Sequence, residues 1–112
     1  MADQLAPLQQ FEYLPGMNLR VLQRDGEPWF VAKDVCEVLE MPTDKGTGRW
    51  LAHLDPEEKG SLRIAAGTSG GNPNTTIISE SGLYLLVLKS RKEEAKAFQK
   101  WVTGEVLGGH YR

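Results

Sequence analysis

The stretch TTIISESGLYLLVLKSRKEEAKAFQKWV, from Thr75 to Val102, changes its period halfway along and so restricts the fold more than any other segment. It opens with β-branched residues in the pattern of a strand, then passes through serines into GLYLLVLK, where apolar residues fill nearly every position. Ser79 or Ser81 can accept the free N–H groups at the start of that helix, and apolarity all round it predicts a helix enclosed by other structure. Ser90 with Glu93 reads as an S-x-x-E capping box for a second helix. Ala95, Phe98, Trp101, Val102 and Val106 then recur at helical spacing until Gly108-Gly109 ends it.

Upstream, MNLRVLQRDGEPWFVA sets Asp25-Gly26 between two runs rich in Leu, Val, Trp and Phe. Asp-Gly supplies the positive φ angles of a type I′ turn, so the segment predicts a β-hairpin. Pro28 lacks an N–H donor and so belongs at the start of the second strand or on an unpaired edge, from which a peripheral hairpin is expected. In KDVCEVLEMP, Val35, Val38 and Leu39 fall on one helical face, with Asp34 near the positive end of the helix dipole and Pro42 as the stop. Gly46 and Gly48 delay any further helix until about Thr47, and Asp55-Pro56-Glu57-Glu58 has the cap, proline and acid of one extra turn. SLRIAA and TTIIS flank the glycine-rich loop GTSGGNPN and form a second hairpin. The expected fold class is α+β: two β-hairpins packed with several short helices and two C-terminal helices in a single domain over residues 17–107. Residues 1–16, closed by Pro15-Gly16, read as an N-terminal arm packed through Phe11, Tyr13 and Leu14, and residues 108–112 as a tail.

The second C-terminal helix sets Lys92, Lys96 and Lys100 at i, i+4 and i+8, opposite its apolar face, with Lys89 and Arg91 just upstream. Ammonium groups spaced about 6 Å along a helix can track phosphates and release counterions. The same row is also what an ordinary solvated helix face looks like. The loop from Gly67 to Asn74, with Asn72 and Asn74 as its polar side chains, reads either as a wing reaching a phosphate or groove, or as a plain hairpin loop. Lys45 and Arg49, with His53 four residues beyond Arg49 and Trp50 between, offer a second polar contact surface or an ordinary one. Thirteen Lys and Arg against fifteen Asp and Glu give a net charge of −2, so any nucleic-acid surface is a local patch and not a global excess.

Catalysis finds little support. Cys36 and His53 are the obvious nucleophile and base, in separate elements, and His110 stands in the tail. No H-E-x-x-H, G-x-S-x-G, G-x-x-x-x-G-K-[ST] or clustered metal ligands occur, so no enzyme, metal or cofactor is expected. One cysteine excludes an intrachain disulfide and fits a reducing, cytoplasmic setting. The longest apolar run, Leu83 to Leu88, is far short of a membrane span, and MADQLAPLQQFEYLPG has no secretory pattern.

GEPWFVAKDVCEVL at Gly26 to Leu39, DPEEKG at Asp55 to Gly60, and TIISESGLYLLVLKSRKEEAKAFQKWVTGEVL at the end resemble, in that order, the Bro-N domain. That module stands at the amino end of prophage antirepressors and of the BRO proteins of large insect DNA viruses. The resemblance covers about residues 17 to 107 and implies an α+β domain associated with DNA binding. The chain departs from the family pattern at PTDKGTGRW, where relatives commonly carry a more basic, helix-favouring segment, and at GGHYR, where relatives continue with Pro and basic residues; no second domain is expected there. Two functions follow as expectations. One is an antirepressor-like, phage or prophage regulatory domain that contacts DNA through the basic helix, the Lys45 to His53 segment and the loop, in the cytoplasm of a bacterial or phage-infected host. The other is a protein-interaction module that inactivates a phage repressor protein without binding DNA, with Trp29 or Trp50 as anchors. A homodimer reading two half-sites is open to such a domain, and no segment specifies its interface.

Overall fold

In the computed structural model the described residues are 8–63, 74–90 and 93–108. Asp25 and Gly26 both take positive φ, 56° and 79°, so the predicted type I′ turn forms and joins β2 (Met17–Arg24) to β3 (Glu27–Val31) through the closing pair Arg24↔Glu27. β1 (Gln9–Leu14) precedes them, and β4 (Lys59–Arg63) and β5 (Asn74–Ser79) complete an antiparallel sheet of order β1-β2-β3-β5-β4.

Two sequence expectations need correction. Residues 9–14, read as part of an arm, form the edge strand β1 on the open side of β2. The alternation there is only two aromatic positions long, Phe11 and Tyr13 half-buried between exposed neighbours, too short to stand out as a strand. The hairpin holding Pro28 is central and not peripheral, because β3 lies between β2 and β5. Pro28 pairs with Gln23 on β2, but the β5 register reaches only Trp29↔Ser79, so the ring sits beyond that ladder where no N–H is required.

α1 (Ala32–Val38) follows β3 without a break. Pro42 is not what stops it. Glu40 adopts φ 62°, Met41 N–H donates to the Cys36 carbonyl at 2.8 Å, and Glu40 N–H donates to that of Glu37 at 3.1 Å, a Schellman closure that buries Met41. α2 (Gly48–Leu51) starts after Thr47, as the glycines require, and Pro56–Glu58 makes one 3₁₀ turn with a true capping box between Asp55 and Glu58.

α3 (Glu80–Ser90) is capped by Ser79, whose Oγ accepts the Gly82 N–H at 3.2 Å. It is buried along one side through its own Leu83, Leu86 and Val87, while Leu88 is 71% exposed. The helix is therefore not surrounded as its all-apolar sequence suggested. The Ser90–Glu93 capping box does not form: Ser90 is the last residue of α3, and its enclosed Oγ has no hydrogen-bond partner. α4 (Glu93–Trp101) follows and widens into a π-helical segment, Val102–Leu107.

The helices cover one sheet face, where Leu19, Val21, Phe30 and Ile78 meet Val35, Leu83, Leu86, Phe98 and Val102 in the main core. A smaller cluster of Leu22, Val31, Leu62 and Ile77, with Leu8 and Trp29 against it, lies on the other face.

Candidate nucleic-acid interface

The orientation of the last helix follows from its burial pattern. Ala95, Phe98 and Val102 are buried at 3.6-residue spacing, and α4 is strongly amphipathic. Leu107 would sit roughly 140° round from Val102 on an α-helix. In the π segment the i→i+5 closure, seen in Gly108 N–H donating to the Thr103 carbonyl, brings both Val106 and Leu107 to the buried side. Thr103 Oγ1 assists by donating toward the Gln99 and Lys100 carbonyls at 3.2 Å each. Tyr13 on β1 clasps the same helix, its ring 5.3 Å from Phe98 and 5.0 Å from Trp101.

With that face fixed inward, Lys96 and Lys100 stand exposed, as does Lys89 in the last turn of α3. Arg91 and Lys92 lie outside the described residues. Among the described residues the ion pairs are Arg20–Asp34 and a loose Lys33–Glu37 contact at 4.0 Å, so Lys89, Lys96 and Lys100 have no carboxylate partner.

The second group sits on the segment after α1. Leu51 and Leu54 are buried and Trp50 Nε1–H donates to the Pro42 carbonyl at 2.7 Å, which pins the turn of residues 43–48 against the domain. Arg49 Cζ lies over the Trp50 ring, 4.7 Å from its centroid, and Lys45, Arg49 and His53 are all exposed. His53 lies near enough to Glu58 to act on its charge. That carboxyl is held below the usual range, first by the Asp55 N–H, then by the Ser81 hydroxyl donating at 2.9 Å, with a smaller contribution from His53. Trp29 and Trp50 are both only half-buried, with Arg24 stacked 5.5 Å over Trp29.

Sequence reasoning missed the feature that joins this turn to the sheet. β5 pairs with β3 only through Ile77, Ile78 and Ser79, whereas its pairing with β4 continues through Thr76, Thr75 and Asn74. The β4–β5 pair thus projects past the point where β3 leaves the sheet for α1, and the inner edge of β5 at Thr75 and Thr76 has no strand beside it among the described residues. A groove of about 440 Å³ opens there, lined by Lys33 of α1, by Thr43 and residues 46–48 of the turn, and by Thr75 and Thr76. Asn74 closes the ladder opposite Arg63, and Asn72 with the rest of the predicted wing lies outside the described residues. No local signal in the sequence marks this groove, because it comes from strands of unequal length.

The predicted contact residues therefore fall into two groups. The lysines of α4 ride on a helix clasped by β1, and Lys45 with Arg49 flanks the groove at β5, with β2 and β3 between them in the sheet. Cys36 is fully buried, and burial pushes its thiol up to about 11, which makes it a poor nucleophile at neutral pH. No cluster of three or more His, Cys, Asp or Glu side chains that could hold a metal occurs among the described residues, and no described helix is long and apolar enough to cross a membrane.

The profile of the BRO family N-terminal domain, Bro-N, matches residues 18–108. An uncharacterised protein of Haemophilus influenzae is 34% identical over 87 residues, covering 78% of this chain and 41% of that protein. An uncharacterised Bro-N domain-containing protein of Autographa californica nuclear polyhedrosis virus is 32% identical over 106 residues, covering 80% of this chain and 31% of its own. The chain thus spans less than half the length of these relatives. No solved structure matches it.

Proposed function

Because the chain belongs to the BRO family, as its N-terminal (Bro-N) domain, we propose that it is a phage- or prophage-type regulatory domain that binds DNA and has no catalytic activity of its own. It acts in the cytoplasm of a bacterium or phage-infected host. One observation supports the reading above the rest: in a chain with more acids than bases, Lys45, Lys89, Lys96 and Lys100 stay exposed and without carboxylate partners among the described residues. Ammonium groups left in this state can neutralise phosphates and release counterions, whereas a stabilising surface network would have paired them. Lysine reads charge more than base identity, so the binding is weakly sequence-selective, with Arg49 the one predicted fork for a base edge at the second surface.

Fluorescence anisotropy with labelled duplex DNA at about 50 and 200 mM salt tests this, since several phosphate contacts lose orders of magnitude in affinity over that interval. Absence of binding at the lower salt would overturn it.

A second reading, a module that occupies and inactivates a phage repressor, is favoured by Leu88. This side chain is 71% exposed beside half-buried Leu85, an apolar contact of the kind protein partners use. It predicts a stoichiometric complex with a cognate repressor and no salt-sensitive DNA affinity.

A further inference from the structure

We infer that the groove where β5 runs past β3 is a subsite for the phosphodiester backbone of a nucleic-acid strand; this rests on the DNA-binding reading and adds a surface to it. Continuing the β3–β5 register beyond Val31↔Ile77 would set Lys33 opposite Thr75. The chain turns into α1 instead, so Lys33 projects from the helix start at the edge of the space that a longer strand would have filled.

The lining is chemically uniform. Four threonines, Thr43, Thr47, Thr75 and Thr76, line the groove, the last two from opposite faces of β5 at its edge, and none of their hydroxyls bonds to another described residue. Hydroxyls donate well to phosphate oxygens, and the Lys33 ammonium supplies charge, held among the described residues by a loose 4.0 Å contact with Glu37. Among the described residues no aromatic side chain lines the groove, so they offer no platform on which a base could stack. At about 440 Å³ it exceeds one phosphate and suits a short run of backbone. Lys45 and Arg49, on the same turn as the single acid Asp44, give its rim a net positive charge.

The turn is built to stay open. Gly46 takes φ 87°, a value L side chains rarely adopt, and the Trp50 bond to Pro42 holds the far end of the segment, so the turn does not depend on the groove being filled.

The test is a titration of ¹⁵N-labelled protein with a short synthetic DNA duplex, followed by anisotropy of Lys33→Gln and of the isosteric pair Thr75→Val with Thr76→Val. Binding that shifts the amides of Lys33, residues 43–48, Thr75 and Thr76 is the expected result. Lys33→Gln then lowers the salt slope by about one unit, and the double valine variant weakens binding about tenfold at fixed salt, with thermal unfolding unchanged. Duplex binding with shifts confined to α3 and α4, and unaltered affinity in both variants, would overturn the groove while leaving the DNA reading intact. No binding by the unaltered chain at low salt would overturn both.

Discussion

The Arg20 guanidinium grips the Asp34 carboxylate with two bonds, Nε to Oδ2 at 2.8 Å and Nη2 to Oδ1 at 3.0 Å, while the Arg20 backbone N–H reaches the same Oδ2 at 2.9 Å. Val21↔Phe30 is the last pair of the β2–β3 register, and Arg20 carries the next amide along β2. Asp34, the one buried charged side chain among the described residues, therefore satisfies the amide left over where β3 turns away and locks α1 onto β2. The guanidinium responds in kind: bonding to Asp34 raises its pKa above the ordinary arginine value, so Arg20 stays charged at any physiological pH.

Removing either partner should unequally weaken the fold. Arg20→Ala strands a buried carboxylate with one remaining donor and is expected to cost about 2–4 kcal/mol, less than a wholly buried pair because the Arg20 side chain is 30% exposed. Asp34→Ala frees the guanidinium to turn to water but leaves the Arg20 backbone N–H without its acceptor, and is expected to cost about 1–3 kcal/mol. Urea denaturation of the single and double variants checks the order, and equal losses would contradict the geometry.

Phe98→Ala should cost about 3–5 kcal/mol, enough to threaten a domain of this size, because the ring is fully buried against Tyr13 and Trp101. Trp101 is only half-buried, so Trp101→Ala should cost clearly less. Thermal unfolding ranks the two, and wild-type stability in Phe98→Ala would disprove the packing of α4.

The lysines of α4 lie outside that packing. Lys96→Gln with Lys100→Gln should leave the melting temperature unchanged and reduce the slope of log K against log salt by about two units; adding Lys92→Gln should bring the reduction to about three. An unchanged slope would remove this helix from the DNA surface.

Glu58 links the 3₁₀ turn to the start of α3, receiving the Asp55 N–H and the Ser81 hydroxyl. Its folded pKa is depressed, so this linkage stabilises the fold above the ordinary glutamate pKa and is lost as the pH falls through the folded value. A carboxyl titration followed by NMR should find the Glu58 midpoint below the usual glutamate range. Ser81→Ala should move it only partway back, because the Asp55 N–H is the larger cause.

Much of the domain was legible in the chain because the signals were local. Asp25-Gly26 dictated a turn that needs two positive φ angles, Gly46 kept α2 from starting before Thr47, and the 3.6 spacing of Ala95, Phe98 and Val102 oriented α4 and exposed its lysines. The failures were equally physical. The Ser90 cap was a valid local pattern that lost to the continuation of α3 through Ser90, and Pro28 was placed at an edge because a sequence does not show how far a neighbouring strand extends. Strand recruitment at Gln9–Leu14, the bond from Arg20 to Asp34 fourteen residues away, and the groove at Thr75 and Thr76 depend on which strands lie side by side and where each one stops. Those relations join residues distant in the chain, so they exist only once the sheet has closed.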